Sequence, residues 1–207
     1  MATASHPPIP ENVMTPEAAL KRLLEGNARY VAGEFNDRDY SETRAVLTQG
    51  QNPYAALLSC ADSRVSPELC FDEGRGDLFV NRLAGNYVSL DMLASLEYGA
   101  VVLKAPLIMV LGHTECGAVK SAITAEKDHF DFPGHIQTIT TQLRSAVKAA
   151  EKSGGDLLAA TIVENIKINV DNLKDSTPLL RRLVEQGKLL VVGGLYHLDS
   201  GKVELVA

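Results

Sequence analysis

Apolar residues along this chain keep two different rhythms. Near the start, Leu20, Leu23, Leu24, Asn27 and Val31 recur at helical spacing, with Lys21, Arg22 and Glu25 off that stripe. Thr15 is a suitable N-cap, Pro16 fits the first helical position and Gly33 is a stop, so a helix is predicted from Thr15 to Ala32. From Tyr54 the rhythm changes to short apolar runs bounded by polar residues or Gly. Tyr54–Ser59, Leu78–Val80, Leu107–Leu111 and Leu189–Val192 read as buried strands. Helical patterns lie between them, at Leu90–Tyr98, Gly117–Ala125, Ile136–Lys152, Leu157–Leu173 and Leu179–Gln186. Strands that alternate with helices predict an α/β fold, a mostly parallel central sheet of about four parallel strands flanked by helices. Ser200-Gly201 predicts a reversal that adds Val203–Val206 as a C-terminal antiparallel strand.

The sequence shows no repeat and no convincing linker, so the expected organisation is an irregular N-terminal arm over residues 1–14, Pro-rich at His6–Pro10, followed by one domain over 15–207. At 45% hydrophobic and 22% charged residues, the composition is that of an ordinary globular protein. A net charge of -6, with no basic run to offset it, argues against a nucleic-acid partner. No apolar stretch is long enough for a bilayer and the polar start lacks a signal-peptide core, which leads us to expect no membrane association and a cytoplasmic location. Three cysteines, Cys60, Cys70 and Cys116, do not make a disulfide framework; free or metal-bound thiols are expected.

Two predicted strands end in unusual residues. The first runs into Cys60-Ala61-Asp62-Ser63-Arg64 and the third into Gly112-His113-Thr114-Glu115-Cys116-Gly117. Carboxyl ends of parallel strands form the ligand crevice of such a sheet, so clusters far apart in sequence meet there. Two thiolates and an imidazole suit Zn²⁺, and three ligands leave a fourth tetrahedral position for water, unless Asp62 closes it. The residues also admit a blander reading, in which Cys60 is a small core residue and Asp62 with Arg64 an exposed ion pair of little worth. Cys70 lacks such company and reads as core.

Cys60-x-Asp62-x-Arg64 followed by His113-x-x-Cys116-Gly117 resembles the double signature of β-class carbonic anhydrases. The likeness runs from about Thr15 to the C-terminus. It takes in Gly50-Gln51, Asp77-Leu78-Phe79-Val80 with Arg82 and Ala84-Gly85-Asn86, Ser95-Leu96-Glu97-Tyr98, and Gly194-Leu195-Tyr196 with Ser200-Gly201-Lys202-Val203. The resemblance implies one Zn²⁺ per chain on Cys60, His113 and Cys116, and reversible hydration of CO₂ to bicarbonate and a proton by a zinc-bound hydroxide. It also implies that Asp62 accepts the hydroxide proton while Arg64 keeps it ionised. Gln51 would donate to a substrate oxygen, and Val65, Phe79, Ala84, Tyr98 and Gly117 would line an apolar substrate pocket. CO₂, bicarbonate and water are then the small-molecule partners. The assembly implied is a homodimer or dimer-of-dimers tetramer, with some pocket residues crossing from a neighbouring subunit and the Thr15–Ala32 helix helping to join them. The chain departs from plant members at Val102, where they carry a histidine proposed to shuttle protons. It also departs from the bicarbonate-inhibited branch at Leu57, where that branch has Trp. Relatives that hydrolyse carbonyl sulfide, and a zinc-stabilised scaffold without activity, are the competing readings.

Overall fold

The computed structural model describes residues 13–38, 44–175 and 177–207. The expected N-terminal arm therefore lies outside the described residues up to position 12.

Helix α1 covers Pro16–Ala32: the Thr15 hydroxyl accepts from the Ala18 amide at 3.2 Å, and Gly33, at φ 74°, closes the end with its N–H on the Arg29 and Tyr30 carbonyls. Its buried stripe is Pro16, Ala19, Leu23, Gly26 and Asn27. Val31, expected on that stripe, is 48% exposed. The stripe shifts because α1 lies almost on backbone: a Cβ at Gly26 would sit 1.8 Å from the Phe71 carbonyl oxygen. Arg22, expected off the stripe, reaches back to Glu73 and Asp77.

Among the described residues five strands follow, β1 (Ala55–Ser59), β2 (Leu78–Arg82), β3 (Leu107–His113), β4 (Leu190–Tyr196) and β5 (Val203–Leu205), in the order β2-β1-β3-β4-β5. The first four are parallel, and β5 runs antiparallel to β4. Its reversal is closed by the Gly201 amide on the His197 carbonyl, 2.8 Å, with Gly201 at φ 72°. Strands β2 and β4 extend past the predicted apolar runs, to Arg82 and Tyr196.

Every residue of β1 and β3 is buried because the sheet is covered on both faces. Ala56, Leu58, Ile108 and Val110 face one core. Ala55, Leu57, Met109 and Leu111 face the other, with Ala19 and Leu23 of α1. The first core is closed by helices α3 (Leu90–Glu97), α4 (Gly117–Lys127), α5 (Ile136–Ala150), α6 (Leu157–Asp175) and α7 (Pro178–Glu185). The second core also takes the short α2 (Pro67–Cys70), which the sequence pattern does not predict. Helix α6 lies close over β3 at Gly112, where a Cβ would come within 2.7 Å of Ile166. After α3 the chain continues in a wide π-type turn, Tyr98–Val102, closed by the Leu103 amide on the Tyr98 carbonyl. The predicted helix stops at Tyr98, and the added turn leaves Val102 exposed.

Strand β1 is followed by β2 on one side of it and, after a crossover, by β3 on the other. The winding direction therefore reverses between β1 and β3, whose carboxyl ends open into the crevice. Ser59 pairs with Leu111, so Cys60 emerges beside Gly112, one residue before His113.

Candidate metal centre

Each strand end is held by its neighbours. After β1, the Arg64 amide bonds Asp62 Oδ1 at 3.0 Å and the Val65 amide bonds the Asp62 carbonyl at 3.1 Å, a tight turn built on the Asp side chain. Arg82, the last residue of β2, donates to the carbonyls of Cys60 (3.0 Å), Asp62 (2.7 Å) and Val65 (2.7 Å). After β3, the Thr114 amide bonds the Tyr196 carbonyl, while the Thr114 hydroxyl receives the Leu198 amide. Glu115 takes a left-handed conformation, φ 59°, and Cys116 then caps α4.

These turns bring Cys60, His113 and Cys116 together, all buried, with ligand atoms within 4.8 Å of one another. The two sulfurs are 3.9 Å apart and form no disulfide. Two ligands at a Zn–S distance of about 2.3 Å in a tetrahedron stand about 3.8 Å apart, so the pair has the spacing of zinc thiolates. His113 Nδ1 lies 2.8 Å from the Thr114 carbonyl and must donate there, which leaves Nε2 as a bare acceptor. That Nε2 is buried and has no hydrogen-bond partner among the described residues. A buried polar atom without a partner costs free energy that a metal ion would recover. The donor set and the unsatisfied nitrogen fit zinc.

The electrostatics agree. Cys116 pulls Cys60 below the ordinary thiol range, helped by His113 and the Gly85 amide, and Cys60 in turn pushes Cys116 up. One negative charge is thus accommodated easily and the second needs a cation. Burial would lower His113, but its proximity to Cys60 outweighs this and raises it. Asp62 Oδ2 stands 3.8 Å from His113 Nε2. Its carboxylate is gripped by Arg64 through Nε to Oδ1 (2.9 Å) and Nη2 to Oδ2 (2.7 Å), which holds it far below the usual carboxylate range. Arg64 Nη2 also reaches the Glu115 carbonyl, 3.2 Å, joining the two strand-end loops.

The other expected residues are placed less uniformly. Val65 is buried beneath the Asp62 turn, Ala84 is half-buried in the loop after β2, and Gly117 is exposed with open space about its Cα. Phe79 and Tyr98 lie against each other with ring centroids 6.0 Å apart and planes tilted by 36°. Gln51 is not brought to the cluster. It is exposed beside Leu47, Gly50 and Gly76, at the amino ends of β1 and β2, the opposite edge of the sheet. Arg82, Thr114 and Gly85 also support the site, though the sequence alone gives them no role. Of these, Arg82 and Gly85 fall in segments that carry the family resemblance, and Thr114 is an unspecified position of the second signature.

A family profile described as carbonic anhydrase matches residues 55–203. A carbonic anhydrase of Mycolicibacterium smegmatis is 39% identical over 192 residues, covering 92% of this chain and 93% of the relative. Among solved structures, the β-carbonic anhydrase CcaA superposes with a TM-score of 0.72 at 28% identity, covering 91% of each chain. Two β-carbonic anhydrases of the ascomycete Sordaria macrospora, described as tetrameric, share the fold at TM-score 0.72 and 23% identity, over 87% of this chain and 91% of theirs.

Proposed function

The chain belongs to the β-carbonic anhydrase family, and from that premise we propose that it hydrates CO₂ reversibly to bicarbonate and a proton at a zinc centre held by Cys60, His113 and Cys116. The observation that carries the reading is the buried, unpartnered Nε2 of His113 facing two sulfurs 3.9 Å apart. Zinc bound there would supply a Lewis acid that makes water nucleophilic near neutral pH.

The chain's own residues do the rest. Asp62 stays ionised because Arg64 holds both its oxygens, so it accepts a hydrogen bond from the attacking water and turns a lone pair toward the CO₂ carbon. The same grip keeps Asp62 off the metal position, which leaves that position open. Val65, Ala84 and Gly117 supply apolar lining beside it, whereas Phe79, which pairs with Ala56 at the amino end of the sheet, and Tyr98 against it would line the pocket of a neighbouring copy. Gln51 stands too far away to serve its own cluster and would serve that of a neighbouring copy. Leu90, Tyr98, Val101 and Val102 leave apolar side chains on the surface that a second copy would cover. A homodimer or dimer of dimers follows, in keeping with the tetrameric Sordaria macrospora enzymes. None of the described helices is long and apolar enough to cross a membrane, and a cytoplasmic site of action is part of the proposal.

The test is Asp62→Asn, assayed for metal content and by stopped-flow CO₂ hydration. One zinc per chain should remain while turnover falls by about 10²-fold, the range for losing one positioned proton acceptor. Undiminished turnover would remove Asp62 from the mechanism, and hydration by metal-free protein would overturn the zinc reading.

A further inference from the structure

Helix α6 buries two carboxamides one turn apart, Asn165 and Asn169, each 3% exposed. Amides are costly to bury unless they are bonded, so their partners reveal what they do. Asn169 Oδ1 accepts the Val88 backbone amide at 2.7 Å. That N–H has one polarity only, which fixes Asn169 Nδ2 toward α6, where it donates to the Asn165 carbonyl (2.7 Å) and to Asn165 Oδ1 (2.9 Å). Asn165 must then present Nδ2 outward, and it donates to the Gly85 carbonyl at 2.9 Å. The ladder has a single direction and ends on the loop after β2.

That loop is bent hard. The Asn86 amide bonds the Leu83 carbonyl at 2.9 Å, Gly85 sits at φ 86° and Asn86 at φ 38°. Glycine suits 85 because that φ strains any L side chain; a Cβ there would also crowd Leu143 Cδ1 at 2.9 Å and Ala118 Cβ at 3.3 Å. The bend aims the Gly85 N–H at Cys60 Sγ, 3.4 Å away. Backbone N–H groups directed at a ligand sulfur fix its orientation and share its negative charge, as other supports behind metal ligands do.

We propose that Asn165 and Asn169 are positioning residues for the metal centre, holding the Leu83–Val88 loop so that the Gly85 N–H is fixed on Cys60 Sγ. The inference rests on the zinc reading above and adds to it a support that reaches the metal ligand from the far helix. Helix α6 also carries a control: the buried Thr161 hydroxyl bonds only back to Leu157 of its own helix, at 2.7 Å.

The experiment compares wild type, Asn165→Leu and Thr161→Val. Zinc affinity is measured by chelator competition, and the thiolate-to-metal charge-transfer bands are recorded after cobalt substitution. Asn165→Leu should weaken zinc binding by about 10- to 100-fold and shift the cobalt bands, with Thr161→Val changing neither. Equal zinc affinity and identical bands in Asn165→Leu would overturn the inference, and so would the same weakening in Thr161→Val. If Asn165→Leu does not fold, ¹¹³Cd-loaded wild type decides: a scalar coupling between the Gly85 amide proton and the metal supports the N–H···S link, and its absence overturns it. A wild-type chain that takes up no metal overturns the zinc reading and this inference together. One that loads zinc no more tightly than Asn165→Leu overturns this inference alone.

Discussion

Two clusters of buried polar groups lie at opposite edges of the sheet, and they are finished to different degrees. At the amino edge, in the loop leading into β2, Asp72 and Glu73 are both buried. Glu73 receives Arg22 through Nε (3.0 Å) and Nη2 (2.7 Å), and the Tyr54 hydroxyl at 2.7 Å. Asp72 receives Arg29 Nε at 2.6 Å, Arg38 Nη1 at 2.5 Å, and both the backbone amide and the side chain of Asn36. At the carboxyl edge, His113 Nε2 has no partner among the described residues, and two thiols stand 3.9 Å apart where a cation would hold both. Saturation marks the acidic pair as structure, a clamp that ties α1 and the Asn36–Arg38 segment to the sheet. Incompleteness marks the other cluster as a site.

The largest effect that would break this contrast is at the unsaturated cluster. Cys60→Ser, His113→Ala and Cys116→Ser should each lose most of the metal and lower CO₂ hydration by about 10³-fold or more, since the metal supplies several kcal/mol of transition-state stabilisation. The fold should persist, because Cys60 and Cys116 only border one of two cores otherwise built of aliphatic and aromatic side chains, and chelation of wild type should abolish activity with the far-UV circular dichroism intact. Collapse on chelation would make the cluster structural instead. Next in size is the reverse case. Asp72→Ala strands Arg29 and Arg38, which keep partial contact with water, and should cost about 3 kcal/mol in urea unfolding, the lower end for a broken buried pair. Hydration per folded molecule should not change.

The contrast also explains what the sequence disclosed. Strands β1 and β3 were legible because burial on both faces makes them continuously apolar, and α1 because Thr15, Pro16 and Gly33 mark both its ends. Cys60, His113 and Cys116 stand out because they lie at or just past the carboxyl ends of those strands. Helix α2 and the turn at Tyr98–Val102 were not legible, being too short for a period to register. Strand β2 continues through Asn81-Arg82, a polar pair that reads as loop until the Ser95 hydroxyl is found on Asn81 and three carbonyls on Arg82. The clamp was hidden for the same reason. Phe71-Asp72-Glu73-Gly74 reads as a surface turn, and only the tertiary structure brings Arg22, Arg29 and Arg38 to it.

Acid should sharpen the contrast more gently. Burial would raise Asp72, yet its bonds from Arg38 and Arg29 outweigh this and hold it below the usual value of 3.8. A depressed carboxylate contributes stability that is fully present above its unfolded pKa and is lost as pH falls through the lower folded value. Unfolding midpoints in urea should therefore hold steady from pH 7 to about 5 and drop below about pH 4. In Asp72→Asn, whose uncharged side chain has no proton to gain, this acid limb should flatten. A limb of unchanged steepness would show that other carboxylates set it.

The smallest effect belongs to the third thiol. Cys70 lies on α2, 2% exposed, and burial pushes its pKa up, so it stays a neutral thiol beside Tyr196. Its sulfur is not part of the cluster formed by Cys60, His113 and Cys116. The polar contact it makes to α1 runs through its backbone carbonyl, which accepts Asn27 Nδ2 at 2.8 Å and survives any side-chain change. Cys70→Ala therefore removes one sulfur's worth of packing and its weak contact with the Tyr196 hydroxyl, and should cost about 1 kcal/mol, comparable to the loss of a buried methylene. Zinc content and hydration rate should equal those of wild type, and in the folded metal-loaded protein Cys70 should resist thiol reagents, since a buried neutral thiol is a poor nucleophile. A Cys70→Ala chain without metal would mean that the saturated and unsaturated regions had been told apart by the wrong sulfur.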